Sequence, residues 1–354
     1  MQKNYKVMTM SSAINEAINV AMKKDKKLLC FGLGVTDPKG IFSTTLNLEK
    51  KFGPDRVFDV PASENALTGI SIGLGLRKVR TVVTHQRLDF FLLAMDQLVN
   101  SAAKWFYTFK QPVPITIRLI VGRGWGQGPT HSQNLHSWFT HIPGIKVVMP
   151  SNPNDARQLL LASIFDPNPV IFIEHRWLHE MKGNVKQKNK IEKLGKGKII
   201  KKGNKITIVA MSYLVIEAKL AVEHLKKFDI HCELIDIRCL QPLDWSLIKK
   251  SILKTGRLLV LDTAHKNNSF SSEIITRAAS ELMQNLKSAP QRMAMPDIPE
   301  PASFGMTKGL YIRPYNIVKE LYKILKLKNK IILKTVVKEP KLHDVPGLWF
   351  KGPF

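Results

Sequence analysis

Residues 113–131 read VPITIRLIVGRGWGQGPTH. The first nine, VPITIRLIV, are apolar at nearly every position and rich in β-branched types. Such a run predicts a strand covered on both faces, because a half-exposed strand would alternate apolar with polar residues. GRGWGQG follows at once, with four glycines in seven residues, and Pro-Thr then leads to His131. A buried strand that runs straight into a glycine loop marks the carboxyl end of a strand in an open α/β sheet, where ligands bind. The glycines permit backbone angles closed to other residues, and with them a close approach of the main chain to a ligand.

Strand and helix patterns alternate on both sides of this stretch. Strand runs fall at 27–35, 56–60, 80–84, 145–150 and 169–174. Between them, 11–24, 64–76, 90–107 and 154–165 carry apolar or small residues at helical spacing, with Ser63 placed to cap the second of these helices. After a Lys- and Gly-rich stretch at 181–203, strands are predicted at 206–212, 231–238 and 257–263, and helices at 214–227, after Pro242 and at 273–286. The alternation predicts two α/β domains with mostly parallel sheets. The expected division is 1–185, a linker or edge hairpin at 186–204, a second domain at 205–327 and a basic tail at 328–354. The tail reads as an extension packed on a partner or on the body, or as a disordered end.

A chain of 354 residues that is 44% hydrophobic has room for two cores. No apolar run reaches the length of a membrane span, and the N-terminus lacks the apolar core of a secretory signal. Three cysteines, Cys30, Cys232 and Cys239, stand in strand-like text without a CxxC, which predicts buried, reduced thiols and a cytoplasmic protein. The net charge of +26 invites a nucleic-acid reading. The lysines are spread over the chain, however, and no helix-turn-helix, finger or RNP pattern accompanies them, so a Lys-rich surface is expected.

The sheet-edge rule singles out the loops after residues 60, 84 and 121. They hold Ser63-Glu64, His85-Gln86-Arg87, and the glycine run with His131. Glu64 opens a helix among apolar residues, where a partly buried carboxylate suits acid–base work; it suits the positive end of a helix dipole equally. His131, His136 and His141 recur every five residues and share no helical face. His175 and His179 lie four apart beside Glu174 and Glu180, but this is not HExxH. GxxxxGK[ST], GxSxG and a GxGxxG after a strand are all absent.

Longer runs carry a resemblance. KKFGPDRVFDVPASENALTG, LDFFLLAMDQLVNSAAKWFY, THSQNLHSWFTHIPGIKVVMPSNPNDARQLLLASIFDPNPVIFIE, CELIDIRCLQPLD and APQRMAMPDIP follow one another in order. The sequence resembles, to about residue 326, the beta subunits of thiamine-diphosphate-dependent 2-oxoacid dehydrogenases of the pyruvate and branched-chain type. The resemblance implies a transketolase-like pyrimidine-binding domain followed by a transketolase C-terminal-type domain. It assigns Glu64 to the aminopyrimidine ring of the cofactor, Phe90 and Gln86 to its surroundings, and His131 to proton transfer. Asp166 and Asn168, with main-chain oxygens near Ile115, Ser163 and Ile164, match a structural potassium site.

The family supplies the diphosphate and magnesium site from a GDG…N segment, which this chain lacks. The resemblance therefore implies an alpha subunit that carries it, an α2β2 assembly and a lipoyl acyltransferase as a further partner. Two departures bear on substrate. The loop after 84, usually Glu-x-Met with a second aromatic, here holds Thr84, Gln86, Arg87 and Leu88, which favours a more polar or anionic substrate than pyruvate. GPTH resembles transketolases while HSQ resembles the dehydrogenases, which leaves open a transketolase-like carboligase of sugar or surface-polysaccharide metabolism. A non-catalytic homologue is the third alternative.

Overall fold

The computed structural model describes residues 5–187, 191–338, 341–347 and 349–352. Contacts divide the chain into two units. The first is Met1–Gly122, Thr130–Leu194 and Trp349–Phe354; the second is Arg123–Pro129 and Gly195–Leu348.

In the first unit the strands are β1 (Tyr5–Thr9), β2 (Leu29–Gly32), β3 (Val57–Asp59), β4 (Thr81–His85), β5 (Ile115–Val121), β6 (Lys146–Val148), β7 (Val170–His175) and β8 (Lys182–Lys186). Six of them lie in the order β6-β7-β5-β4-β2-β3, and every pairing among these is parallel. The run that opens the sequence argument is thus a central strand, and all seven residues of β5 are buried. Parallel neighbours bring the carboxyl ends of β3, β4, β5 and β7 to one edge.

The helix Met10–Lys24 starts where the Thr9 hydroxyl accepts the amide of Ser12, and it turns Ala13, Ile14, Ala17, Ile18 and Ala21 inward. It packs on Pro153–Ile164, a helix capped by Asn152 with proline at its first position. Alanines let the two axes approach, and burying a side chain such as Ile14 contributes roughly 1.5–3 kcal/mol.

One predicted helix takes another form. The run 90–107 is an α-turn at Leu88–Phe91, a 3₁₀ turn at Leu92–Ala94, a π-helical stretch at Gln97–Ala102 and an α-helix at Ala103–Phe109. The tighter and wider turns shift the apolar face in opposite directions, so the average spacing still reads as one helix.

The second unit holds β9 (Lys198–Lys201), β10 (Thr207–Ala210), β11 (Glu233–Asp236) and the strands Leu258–His265 and Gln291–Met295. Their order, starting from Gln291–Met295, is that strand, Leu258–His265, β10, β11 and β9, parallel except for β9. Among its described residues, the stretch read as a linker or edge hairpin forms no hairpin. β8 pairs with β1 and β9 with β11, while residues 188–190 of that stretch lie outside the described residues. The three cysteines are buried and unbridged. Among the described residues no helix is long and apolar enough to cross a membrane.

Candidate active site

Three of the residues singled out above reach the carboxyl edge of the first unit's sheet. Glu64 is the first residue of the helix Glu64–Leu76, which follows β3, and it is 8% exposed. Among the described residues nothing donates a hydrogen bond to its carboxylate. Ser63 precedes it, but the Ser63 hydroxyl makes no cap bond. Phe90 comes from the turn after β4 and His131 from the loop after β5. Their rings meet edge to face, with centroids 5.5 Å apart. Thr130 Oγ1 lies 3.0 Å from His131 Nδ1 and fixes the ring, which leaves Nε2 as the nitrogen available to a ligand.

Gln133 ties the same two loops together. Its main-chain N–H and its side-chain amide both donate to Asp89 Oδ1, at 3.2 and 2.9 Å. Gln86 turns the other way, toward the loop after β2: a Cβ on Gly34 would lie 2.4 Å from the Gln86 amide nitrogen.

The glycine loop makes close approaches within the protein itself. Arg123–Pro129 belongs to the second unit and packs on that unit's own tail. Gly124 has φ +76°, and a Cβ there would stand 1.8 Å from the carbonyl oxygen of Asp344. The Trp125 amide donates to Asp344 Oδ2 at 3.0 Å, and Arg313 donates to the carbonyls of His343 and Val345. Arg123 is buried in an ion pair with Glu300, at 2.9 Å. The close approach at Gly124 is therefore to residues 341–347, which form an ordered strap, while Gly126 and Gly128 face Ala302; residues 339–340, 348 and 353–354 of the tail lie outside the described residues.

Sequence reasoning missed a buried cluster beneath the edge. Arg118, in the middle of β5, places Nε 2.8 Å and Nη2 2.6 Å from Glu174 Oε1, and Nη1 donates to Thr84. His179 Nε2 lies 3.1 Å from the other Glu174 oxygen. The His-Glu text at 174–180 is thus partly a structural network. Among the described residues no three His, Cys, Asp or Glu side chains gather as a metal set.

His85, at the end of β4, is buried against Phe91, and neither ring nitrogen has a hydrogen-bond partner. Burial alone lowers its pKa from 6.5 to about 3. Between those two values the unfolded chain takes up a proton that the folded chain refuses, so stability is lost as pH falls. From this group the loss is about 1.4 kcal/mol per pH unit. Urea unfolding across that range should show His85→Met with a shallower decline than the wild type; identical slopes would contradict a buried neutral imidazole.

The residues matched to a potassium site lie at the opposite, amino edge of the sheet. Ile115 opens β5, Ser163 and Ile164 end a helix, and Asp166 and Asn168 precede β7. The Asp166 carboxylate is held by Lys146 at 2.6 and 2.7 Å. The side-chain oxygen of Asn168 is buried without a hydrogen-bond partner. An orphaned oxygen acceptor is the kind of group a cation with oxygen ligands takes, whereas the Asp166 carboxylate is already engaged by Lys146 and the Asn168 amide.

Two family models and several relatives match the chain. Residues 6–181 match the family model described as transketolase, pyrimidine binding domain, and residues 195–313 match transketolase, C-terminal domain. The beta subunit of acetoin:2,6-dichlorophenolindophenol oxidoreductase from Bacillus subtilis is 36% identical over 312 residues, covering 84% of this chain and 91% of that one. The beta subunit of the pyruvate dehydrogenase E1 component from Acholeplasma laidlawii is 35% identical over 302 residues, covering 84% and 92%. A solved structure titled "Split gene transketolase, inactive beta4 tetramer" superposes with a TM-score of 0.73 over 91% of this chain and 99% of that one. At 18% identity that likeness speaks to fold alone. On these matches, and with a glutamate-first helix and a Phe90–His131 pair at one sheet edge, the chain belongs to the family of beta subunits of 2-oxoacid dehydrogenase E1 components.

Proposed function

We propose that this chain is the pyrimidine-binding half of a thiamine-diphosphate-dependent 2-oxoacid dehydrogenase that decarboxylates its substrate together with an alpha subunit and passes the acyl group to a lipoyl acceptor. The observation that carries the reading is Glu64, a nearly buried carboxylate at a helix start that no described protein group satisfies. Its oxygens are not sealed off from solvent, so a ligand that brings a donor can reach them. An aminopyrimidine offers one, and thiamine diphosphate supplies the electron sink that decarboxylation needs. Glu64 holds and exchanges a proton with the ring. Phe90 offers an aromatic wall to it, and His131 Nε2 serves as proton donor and acceptor for the substrate.

The alpha subunit is assigned the diphosphate and magnesium, since the chain has no GDG…N segment. Large apolar side chains on the first unit support a macromolecular partner: Leu93 is 69% exposed, Tyr107 83% and Trp138 53%. Potassium is assigned to the neighbourhood of the unpartnered Asn168 oxygen.

Co-expression with the alpha chain tests the assignment. The co-purified assembly should bind thiamine diphosphate in a magnesium-dependent way and release carbon dioxide from 2-oxoacids. The chain alone should bind weakly and turn nothing over, and tight binding by the chain alone would sink the shared-site reading. Product analysis with an added aldehyde separates acyl transfer from carboligation. Thermal unfolding in potassium against sodium chloride checks the cation, which should raise the midpoint in the wild type and not in Asn168→Ala.

A further inference from the structure

We propose that residues 341–347 are a positioning element for His131: the strap latches the glycine loop from which that histidine emerges, and so fixes where it is delivered. The proposal rests on reading His131 as the proton donor and acceptor of the 2-oxoacid reaction, and adds the segment that holds it ready.

The loop has little shape of its own. Gly124, Trp125, Gly126 and Gly128 all have left-handed backbones, with φ of 76°, 55°, 68° and 68°. Glycine enters that region freely and leaves it as freely, while a tryptophan there is strained. Within the loop the Gln127 amide donates to the Gly124 carbonyl at 3.2 Å. The chain leaves β5 after Val121 and reaches His131 through Thr130, so the route it takes between them decides where the histidine arrives.

Other parts of the second unit supply the shape. Arg123, at the entry to the loop, pairs with Glu300 at 2.9 Å and donates to the Tyr213 hydroxyl at 3.4 Å. Ala302 backs Gly126 and Gly128, where a Cβ would come within 3.3 Å of it. The strap holds the turn between them. The Trp125 amide donates to Asp344 Oδ2 at 3.0 Å, a bond strengthened by the carboxylate charge. The Asp344 carbonyl fills the space that a side chain at position 124 would need.

The strap is fastened in its turn. Arg313 donates to the carbonyls of His343 and Val345, at 3.0 and 2.7 Å. The His343 ring stacks on Phe304, with centroids 4.0 Å apart and 28° between the planes. Thr307 gives its hydroxyl proton to the Phe304 carbonyl, so His343 Nδ1 donates to Thr307 Oγ1, at 2.9 Å. Residues 304–313 thus hold the strap, and the strap holds the loop. Residues 341–347 lie beyond both family matches, so the latch is no part of the matched fold.

Hydrogen exchange over residues 122–131 of the whole chain, read by mass spectrometry, reports opening of the loop. Asp344→Ala removes the acceptor of the Trp125 amide and should speed exchange there about 10- to 100-fold. His343→Ala leaves that bond's atoms in place and removes only the hold on Phe304 and Thr307. It should speed loop exchange about 10-fold, because strap and loop open together. Asp344→Asn keeps an acceptor and should stay close to the wild type. In the assembly with its alpha subunit, Asp344→Ala and His343→Ala should each lower kcat for a 2-oxoacid about 10-fold with KM little changed, the pattern of a displaced proton-transfer group. Asp344→Asn should keep most of the rate. Loop exchange in His343→Ala equal to that of the wild type overturns the latch. Faster exchange with an unchanged kcat overturns the positioning role. Failure of the wild-type assembly on every 2-oxoacid tells against the dehydrogenase reading instead, and the exchange rates then decide the latch by themselves.

Discussion

Glu64→Gln should reduce 2-oxoacid turnover by the assembled enzyme at least about 100-fold, the scale of a lost acid–base group, and leave the fold in place. Glutamine matches the shape of glutamate and keeps an acceptor, but it cannot give up a proton or hold a full negative charge. No described residue donates to the Glu64 carboxylate, so the substitution breaks no internal bond. A glutamate that merely decorated the start of the helix Glu64–Leu76 would behave differently. Its loss would cost about 0.3–1 kcal/mol of stability and leave turnover unchanged. Turnover and urea midpoint, measured on the same preparations, separate the two roles. Full activity in the variant would remove Glu64 from the chemistry.

The second large effect is on stability. Arg118→Met should destabilise the first unit by roughly 3–5 kcal/mol, the range for a buried ion pair that loses one partner. Arg118 and Glu174 are both 0% exposed at the side chain, so solvent cannot take over from the missing guanidinium. Burial pushes the Glu174 pKa up, but the Arg118 charge and the His179 hydrogen bond outweigh it and hold it below 4.5. Its contribution is thus complete above the unfolded carboxylate range and is lost as pH falls through the depressed value. The double variant Arg118→Met/Glu174→Gln should recover much of the loss, since it leaves no buried charge unmatched. A urea midpoint for Arg118→Met within error of the wild type would mean that water reaches Glu174.

The strand ends of the first unit were legible because β5, β4 and β7 are continuous apolar runs, and the sheet-edge rule then led to Glu64 and His131. The Phe90–His131 contact joins loops after two different strands, so periodicity holds no trace of it; the resemblance named both residues without their geometry. Arg118 escaped notice because one charge inside VPITIRLIV does not break a strand pattern, and its partner Glu174 lies 56 positions away. The tail was the hardest part to read. Residues 341–347 have no periodic pattern, and what orders them is Arg313 and a turn 219 residues upstream in sequence.

That turn bears on how the gene can be divided. The chain enters the second unit at Arg123, leaves it after Pro129 and returns at Gly195. A fragment beginning at Gly195 would carry Glu300 without Arg123, and a fragment ending at Leu194 would carry Arg123 without Glu300. Cutting between the units therefore strands a charge in each product, at a position where the intact chain admits almost no solvent. Expression of either half alone would test a damaged molecule, and a permuted or split version would have to keep Arg123–Pro129 with the C-terminal piece.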